Sequence, residues 1–508
     1  MVSTLQPVSE ITPTRAADGR VLASAIHAWR SNPTDPLAAM DGIAVNSIQV
    51  NNWPLVLRPD DWQRINTGEC VPDRFDAVVR IEEVKWEDES PRLDQPVIPF
   101  QNVRKRGEDF HSGALLIPQL KQLRPQDLAL LLTAGHEEIE VFRKPRVIFL
   151  PTGSELVVHT SEQQKGKILE SNSAMVAGLV ESWGGEFQLA ETVADDPESL
   201  TTRIQELSDQ CDILAISAGT SMGIHDLTFS TLQELGTVHF HGVAVHPAKP
   251  VILADISGTP VLGLPGYPVA AYIASHFYLR PLVLALSKIE WTRKHEVFIS
   301  AEDIPAKEDD YFYRVHLYDV DGRVYAKRIL SGASSIFSLS KMDGLMHVPP
   351  GVEIHKRDGV RVDIFNENWQ KSFAIQGTSD PIVHHLFDLF HQTVPSHRIL
   401  FWEASFKDAL QSMTERNGHM AVIAVEQGAD PFPEFAAQLQ EPLIRIPIFT
   451  RAGRQHIYLV VLESHCAIPA VHQLLELLQS PEFKNYIRSQ DGCDVPSPEI
   501  LEENQLDL

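Results

Sequence analysis

Four short segments concentrate the side chains that could do chemistry. They are Ala39-Met40-Asp41-Gly42-Ile43-Ala44, then Ile65-Asn66-Thr67-Gly68-Glu69, then the run 217–226, and finally Pro247-Ala248-Lys249-Pro250 together with Gly263-Leu264-Pro265-Gly266-Tyr267-Pro268. The third reads Ser217-Ala218-Gly219-Thr220-Ser221-Met222-Gly223-Ile224-His225-Asp226. A strand running into such a Gly/Ser/Thr loop and on into a helix can turn backbone N–H groups toward a phosphate. Asp226 just beyond could orient a metal ion or a hydroxyl. The same loop reads equally as a tight strand–helix turn. Lys249 could neutralise a phosphate as a point charge, and a solvated surface lysine is the plainer reading. Leu264-Pro265-Gly266-Tyr267-Pro268 reads first as a rigid turn with proline at a helix start. Asp41, Glu186 and Asp226, each alone, read as surface or capping carboxylates, and Thr67-Gly68 as a turn.

These residues need elements to hold them. Up to about residue 140 the chain mixes short apolar runs with prolines and charges. Strands are expected at 78–81 and 96–100 and a helix over 125–134, which gives an extended β-rich region with little core of its own. From 141 to 290 compact apolar runs at 146–150, 186–189 and 212–217 alternate with helical spacing over 173–183 and 200–207. Further strands fall at 251–253 and 260–264, and a long apolar helix at 269–286. Such alternation implies a doubly wound, mostly parallel sheet, and ligands bind beyond the carboxyl ends of its strands. Residues 291–367 read as short strands of a small β-barrel or sandwich. A polar linker is expected at 366–371. The tail, 372–508, alternates strand and helix again as a second α/β domain, expected to be autonomous. The fold class is therefore multidomain α/β.

The chain has 508 residues, more than one core usually organises. Lys plus Arg number 43 and Asp plus Glu 68, for a net charge of −25. That argues against nucleic acid, whose phosphates need a basic surface. It leaves room for a small anionic ligand at a locally positive loop. No basic-then-apolar leader opens the chain, and no apolar run is expected to reach the length of a membrane span. Cys70, Cys211, Cys466 and Cys493 are too scattered for a zinc knuckle or a disulfide framework. A cytoplasmic protein with reduced thiols, without membrane or nucleic-acid partners, is expected.

Taken in order, these segments resemble the molybdopterin molybdenumtransferase family, which inserts molybdate into adenylylated molybdopterin and includes the enzymatic domain of gephyrin. The resemblance runs from residue 17 to about 366. Besides the four segments it rests on Gly19-Arg20-Val21-Leu22-Ala23, the runs 39–45, 66–83, 102–109 and 151–156, and Gly166-Lys167-Ile168-Leu169-Glu170-Ser171-Asn172. It implies a homodimer whose site lies between the doubly wound domain of one subunit and the β-rich region of the other. Other molybdenum-cofactor biosynthesis proteins would be further partners. The family's acidic and hydroxyl site positions correspond to Asp41, Thr67, Glu186 and Asp226. Ligand-binding positions correspond to Ser217, Gly219, Thr220, Ser221, Gly223, Lys249, Pro265 and Gly266. The resemblance implies Mg²⁺ on Asp41, Glu186 and Asp226, since molybdate and the phosphates are anions that bare carboxylates would repel. The dithiolene sulfurs belong to the pterin, so no protein cysteine is required.

The tail resembles, in shortened form, a periplasmic-binding-protein-like domain. Its Gly377-Thr378-Ser379-Asp380-Pro381, the run 404–426, Ser480-Pro481-Glu482-Phe483 and Gly492-Cys493-Asp494-Val495 carry that likeness. Five positions depart from the family pattern: Ser154 and His246 replace an acid and a fixed cation, and Glu170, Ala248 and Tyr267 also differ. The leading expectation is the enzyme releasing AMP. A non-catalytic paralogue that binds molybdopterin or molybdate as carrier, sensor or scaffold is the alternative.

Overall fold

The computed structural model describes residues 5–50, 53–218, 227–292, 294–426, 432, 439, 442–451 and 455–495. They divide into two compact units, Met1–His241 with Ile252–Leu264 and Ala274–Trp291, and Gly242–Val251 with Pro265–Ile273 and Thr292–Leu508.

The β-rich region has more core than expected. Strand Gly42–Val45 lies between Trp62–Ile65 and Ala77–Arg80, antiparallel to both. Ile43 and Val45 face one apolar cluster with Val79, Leu57 and Leu93. Ala44 faces a second with Ile65, Val78 and Val71. A strand covered on both faces reads as a continuous apolar run, which accounts for Ile43-Ala44-Val45 directly after Asp41. The strand expected at 96–100 is instead a turn. Pro96 and Pro99 lack the N–H a ladder needs, and Phe100 has a positive φ of 63°. The helix over 125–134 is found at Pro125–Thr133.

The doubly wound sheet has the strand order Glu186–Leu189, Arg146–Pro151, Ile213–Ala218, Thr259–Pro265, Ile252–Ile256, Thr237–His241. The first three run parallel, and the last two strands pair antiparallel. Helix Asn172–Ser182 follows one loop, and Pro197–Ser208 begins where the Asp196 carboxylate accepts from the N–H of Ser199. Ile148, Leu150, Leu200, Ile204, Leu214 and Ile216 form the core on one face.

The apolar helix near residue 270 corrects one expectation. Pro268–Ser287 spans 20 residues and is long and apolar enough to cross a membrane by length and composition; about two thirds of it is buried inside the protein. Its middle, Ser275–Leu279, is wound as a π-helix, followed by Arg280–Ser287. Pro281 supplies the reason: it has no N–H to donate and crowds the preceding turn.

In the second unit five strands close into a barrel. Asp310–Val320 pairs with Arg323–Arg328, which pairs with His295–Ser300, then Gly359–Ile364, then Gly344–Val348, which returns to Asp310–Val320. The tail forms its own sheet, ordered Arg398–Glu403, Ser372–Gly377, Met420–Glu426, Gln455–Leu462, Leu443–Arg451, Cys493–Asp494. Val422 faces the cluster of Leu386, Phe390 and Leu474, while Ile423 faces Leu410 and Met413.

The barrel and tail are not joined by a loose linker. Residues 369–371 form a 3₁₀ turn whose Trp369 is buried edge-on against Phe298, with ring centroids 5.3 Å apart. Tyr318 and Val320 of the barrel share one apolar cluster with Ala374 and Leu400 of the tail. The buried Tyr318 hydroxyl donates to the Asn417 carbonyl at 3.1 Å. The tail, which has its own core, thus docks its first strands against the barrel rather than hanging on a loose polar linker.

Candidate functional site

Asp41 and Thr67 meet because of strand register. Gly42 pairs with Ile65, so the residue before one strand lies beside the turn after the other. Asp41 Oδ1 accepts from the Thr67 N–H at 2.7 Å and from its hydroxyl at 2.9 Å. Those two bonds, the backbone one first, hold the Asp41 carboxyl below the usual carboxylate range. Asp41 and Thr67 are both exposed, and Oδ2 of Asp41 accepts from no described residue. Gly42 is required here for space. A Cβ would sit 1.9 Å from the Val79 carbonyl oxygen. The turn behind Thr67 is tied by the Glu69 carboxylate, which accepts from the Asn66 N–H at 2.9 Å and from its side chain at 3.0 Å. Gly68, at φ 84°, carries the reversal.

A second cluster forms at the carboxyl ends of two parallel strands. Pro151 pairs with Ser217, and the Ser217 carbonyl accepts from the Thr152 N–H at 3.1 Å and hydroxyl at 3.0 Å. Ser217 is thus a buried anchor near the end of its strand. Gly219, Thr220, Ser221, Gly223 and Asp226 lie outside the described residues. Sequence reasoning passed over Glu155 on the neighbouring turn. Its carboxylate lies beside Gly153, 2.9 Å from where a Cβ at that position would sit, and is exposed. Asp195 joins this edge by accepting from the Ser154 N–H at 3.3 Å. The available signal was position: Glu155 follows Pro151-Thr152-Gly153 at a strand's carboxyl end, where ligands bind. Glu170 fits its place as a helix cap, accepting from the Ser173 N–H at 3.0 Å and from its hydroxyl.

Glu186 is the correction. It opens its strand opposite Arg146, at the amino edge of the parallel sheet. Five residues separate that edge from Pro151, roughly 16 Å at the rise of a strand. Its surroundings there are the Arg143–Asp212 ion pair, 2.6 Å, at the base of the domain. Glu186 is therefore removed from the acidic set at the carboxyl edge.

In the second unit Lys249 is partnered. Its ammonium donates to Asp309 Oδ2 at 3.3 Å, and His246 Nε2 lies 2.9 Å from the same oxygen. The hydrogen bond from Lys249, and then that with His246, hold the Asp309 carboxyl below its usual range against the effect of burial. Pro265 is buried at a strand end, and Gly266 and Tyr267 after it are exposed. Among the described residues no three His, Cys, Asp or Glu side chains gather as a metal cluster.

Known proteins resemble this chain in sequence and fold. Family models for the MoeA N-terminal region, the probable molybdopterin-binding domain and the MoeA C-terminal region match residues 1–135, 148–285 and 299–365. A Methanocaldococcus jannaschii protein named for molybdopterin biosynthesis is 31% identical over 368 residues, covering 68% of this chain and 89% of its own. The chain belongs to the molybdopterin molybdenumtransferase family. The Nostoc molybdopterin molybdenumtransferase is 30% identical, over 55% of this chain and 70% of its own. A solved molybdopterin biosynthesis MoeA protein from Pyrococcus horikosii superposes with a TM-score of 0.60 at 28% identity, covering 72% of this chain and 97% of that one. As a molybdopterin molybdenumtransferase relative the chain is an enzyme of molybdenum cofactor biosynthesis, and its family models end before the tail.

Proposed function

We propose that this chain inserts molybdate into adenylylated molybdopterin and releases AMP, acting as a cytoplasmic homodimer with Mg²⁺. The observation that carries this reading is the Asp41–Thr67 pair: an ionised carboxylate on the surface with one oxygen committed to Thr67 and the other uncommitted. A hard oxygen donor of this kind fits Mg²⁺, which takes few protein ligands and keeps several waters. Asp41 would hold the ion, with Asp226 and Glu155 as further donors in place of Glu186. When bound, it supplies charge to offset the phosphate and molybdate oxygens. Thr67 fixes the Asp41 carboxylate in one orientation. The Gly/Ser/Thr segment after Ser217, which lies outside the described residues, would supply N–H groups to the phosphates.

Homodimerisation would let the β-rich region of one subunit complete the site on the doubly wound domain of the other, as the family resemblance implies. The four unpaired cysteines suit a reducing compartment. We also read the tail as a shortened binding-protein-like domain, since its first three strands are parallel with helices between them.

The test is AMP release by the full chain supplied with adenylylated molybdopterin, Mg²⁺ and molybdate. We expect Asp41→Asn to lower the rate by at least 100-fold, on the scale of losing a charge-stabilising group, while the melting temperature stays unchanged. Release at the parent rate by the variant would defeat the reading.

A further inference from the structure

Within the second unit, a cavity of about 250 Å³ lies where the barrel meets the tail. The barrel contributes Lys327 and Lys356, and the tail contributes Gln376 and one side of helix Phe406–Thr414. Apart from Ala301 and Tyr318, which belong to the apolar cluster that seals the same junction, its lining residues are polar. A polar cavity of this size is not a packing fault, since dry voids in proteins are apolar.

The charges around it are unequally satisfied. Lys356 is paired with Glu415, whose other oxygen accepts from Gln411 at 2.7 Å. Asp408 accepts from the Ser405 hydroxyl at 2.6 Å at the start of its own helix. Lys327 has no such partner: its ammonium donates to no described residue and sits 5.3 Å over the Trp402 ring. Glu302, the acid that acts on it electrostatically, is bound to Arg328 at 2.9 Å. Burial holds the Lys327 ammonium below the usual lysine range, against the pull of Glu302 and with the help of Lys356 and Arg328. Independently, Gln376 is 8% exposed, yet its side-chain amide bonds to no described residue. That amide opens onto the cavity.

We propose that this cavity is a binding site for a small tetrahedral oxyanion, held by the Lys327 and Lys356 ammonium groups and the Gln376 amide. The volume admits such an ion with a few waters. Because the lining comes from both sides of the junction, the bound ion ties barrel to tail. This site is built from residues that take no part in the proposed transfer reaction.

Titration calorimetry of the full chain at constant ionic strength tests this, with sulfate, inorganic phosphate and molybdate as separate probes. We expect saturable binding of at least one, weakened tenfold or more by Lys327→Met and by Gln376→Leu and restored toward the parent value by Lys327→Arg. Asp41→Asn should leave it unchanged, which separates this site from the substrate site. Circular dichroism melts of each variant confirm that it folds. Absence of saturable binding for all three ions, or equal affinity in folded Lys327→Met, overturns the proposal. Loss of binding in Asp41→Asn overturns it too, by moving the ion to the substrate site.

Discussion

Replacing Arg398 with methionine removes the cation from a carboxylate that solvent does not reach. Asp343, in the barrel, is fully buried. Its two oxygens accept from Arg398 Nη2 of the tail at 2.6 and 2.5 Å, from the Leu317 N–H at 2.9 Å and from Asn366 at 2.7 Å. Burial pushes its carboxyl up, and the neighbouring His316 ring 3.7 Å away, the Arg398 charge, the Leu317 amide and Asn366 together bring it below the usual range. Breaking one side of a buried pair costs about 3–5 kcal/mol. The Arg398 side chain is 31% exposed, so water softens the loss and about 3 kcal/mol is expected. That is on the order of 100-fold in the opening equilibrium. A chain of several domains need not unfold in one step. Hydrogen exchange on the full chain, followed in peptides from Asp310–Val320 and Arg398–Glu403, is therefore the suitable assay. The pH dependence has a definite sign. In the parent the folded carboxyl is depressed, so its stabilisation is present above the unfolded value, about 3.9, and is lost as pH falls through the folded value. In the variant, burial is less opposed, and protonation relieves the cost. The difference between the two proteins should be largest near pH 7 and shrink toward pH 4. A difference below tenfold at pH 7, or one that grows on acidification, would refute the claim that this pair fastens tail to barrel.

Glu186→Gln should release AMP at close to the parent rate while Glu155→Gln falls at least tenfold; the reverse order in the same assay would return Glu186 to the site. Gly42→Ala should lower the melting temperature of the first unit by more than 5 °C, because its Cβ cannot fit 1.9 Å from the Val79 oxygen, and should take AMP release down with it. A chain ending at Lys371 should be less soluble and melt earlier than the full chain, since Tyr318 and Asp343 lose their cover; an unchanged melt for the barrel would show the tail to be separable after all.

Much of the first unit was readable because its signals are local. Apolar runs bounded by glycine and proline marked the strands at 146–151, 186–189 and 213–218, and the spacing of Leu200, Ile204 and Leu207 marked a helix face that the structure buries. The pairing of Asp41 with Thr67 needed one more fact, the register of two strands 20 residues apart, which spacing alone does not supply. Glu186 was misplaced for a related reason. An acid next to a strand looks the same at either end of it, and only the parallel pairing of Glu186 with Arg146 tells the amino edge from the carboxyl edge.

The junction of barrel and tail was hidden for a different reason. Tyr318 reads as an ordinary barrel residue, yet its hydroxyl bonds to a carbonyl 99 positions away. Arg398 reads as a charged strand start, yet its partner lies 55 positions back. No periodicity encodes such partners. The consequence reaches past the fold, because a buried ion pair and a polar cavity both sit on this junction. The ion pair resists separation of the two parts. The cavity makes their separation sensitive to whatever anion it holds, because a ligand that binds only the docked form stabilises it in proportion to its concentration over its dissociation constant. The tail is thereby coupled to the barrel through residues that a domain-by-domain reading treats as surface. Arg398→Met and Lys327→Met should then act in opposite senses on anion response: the first weakens docking and enlarges the fraction of it an anion can restore, while the second abolishes the response and leaves docking intact.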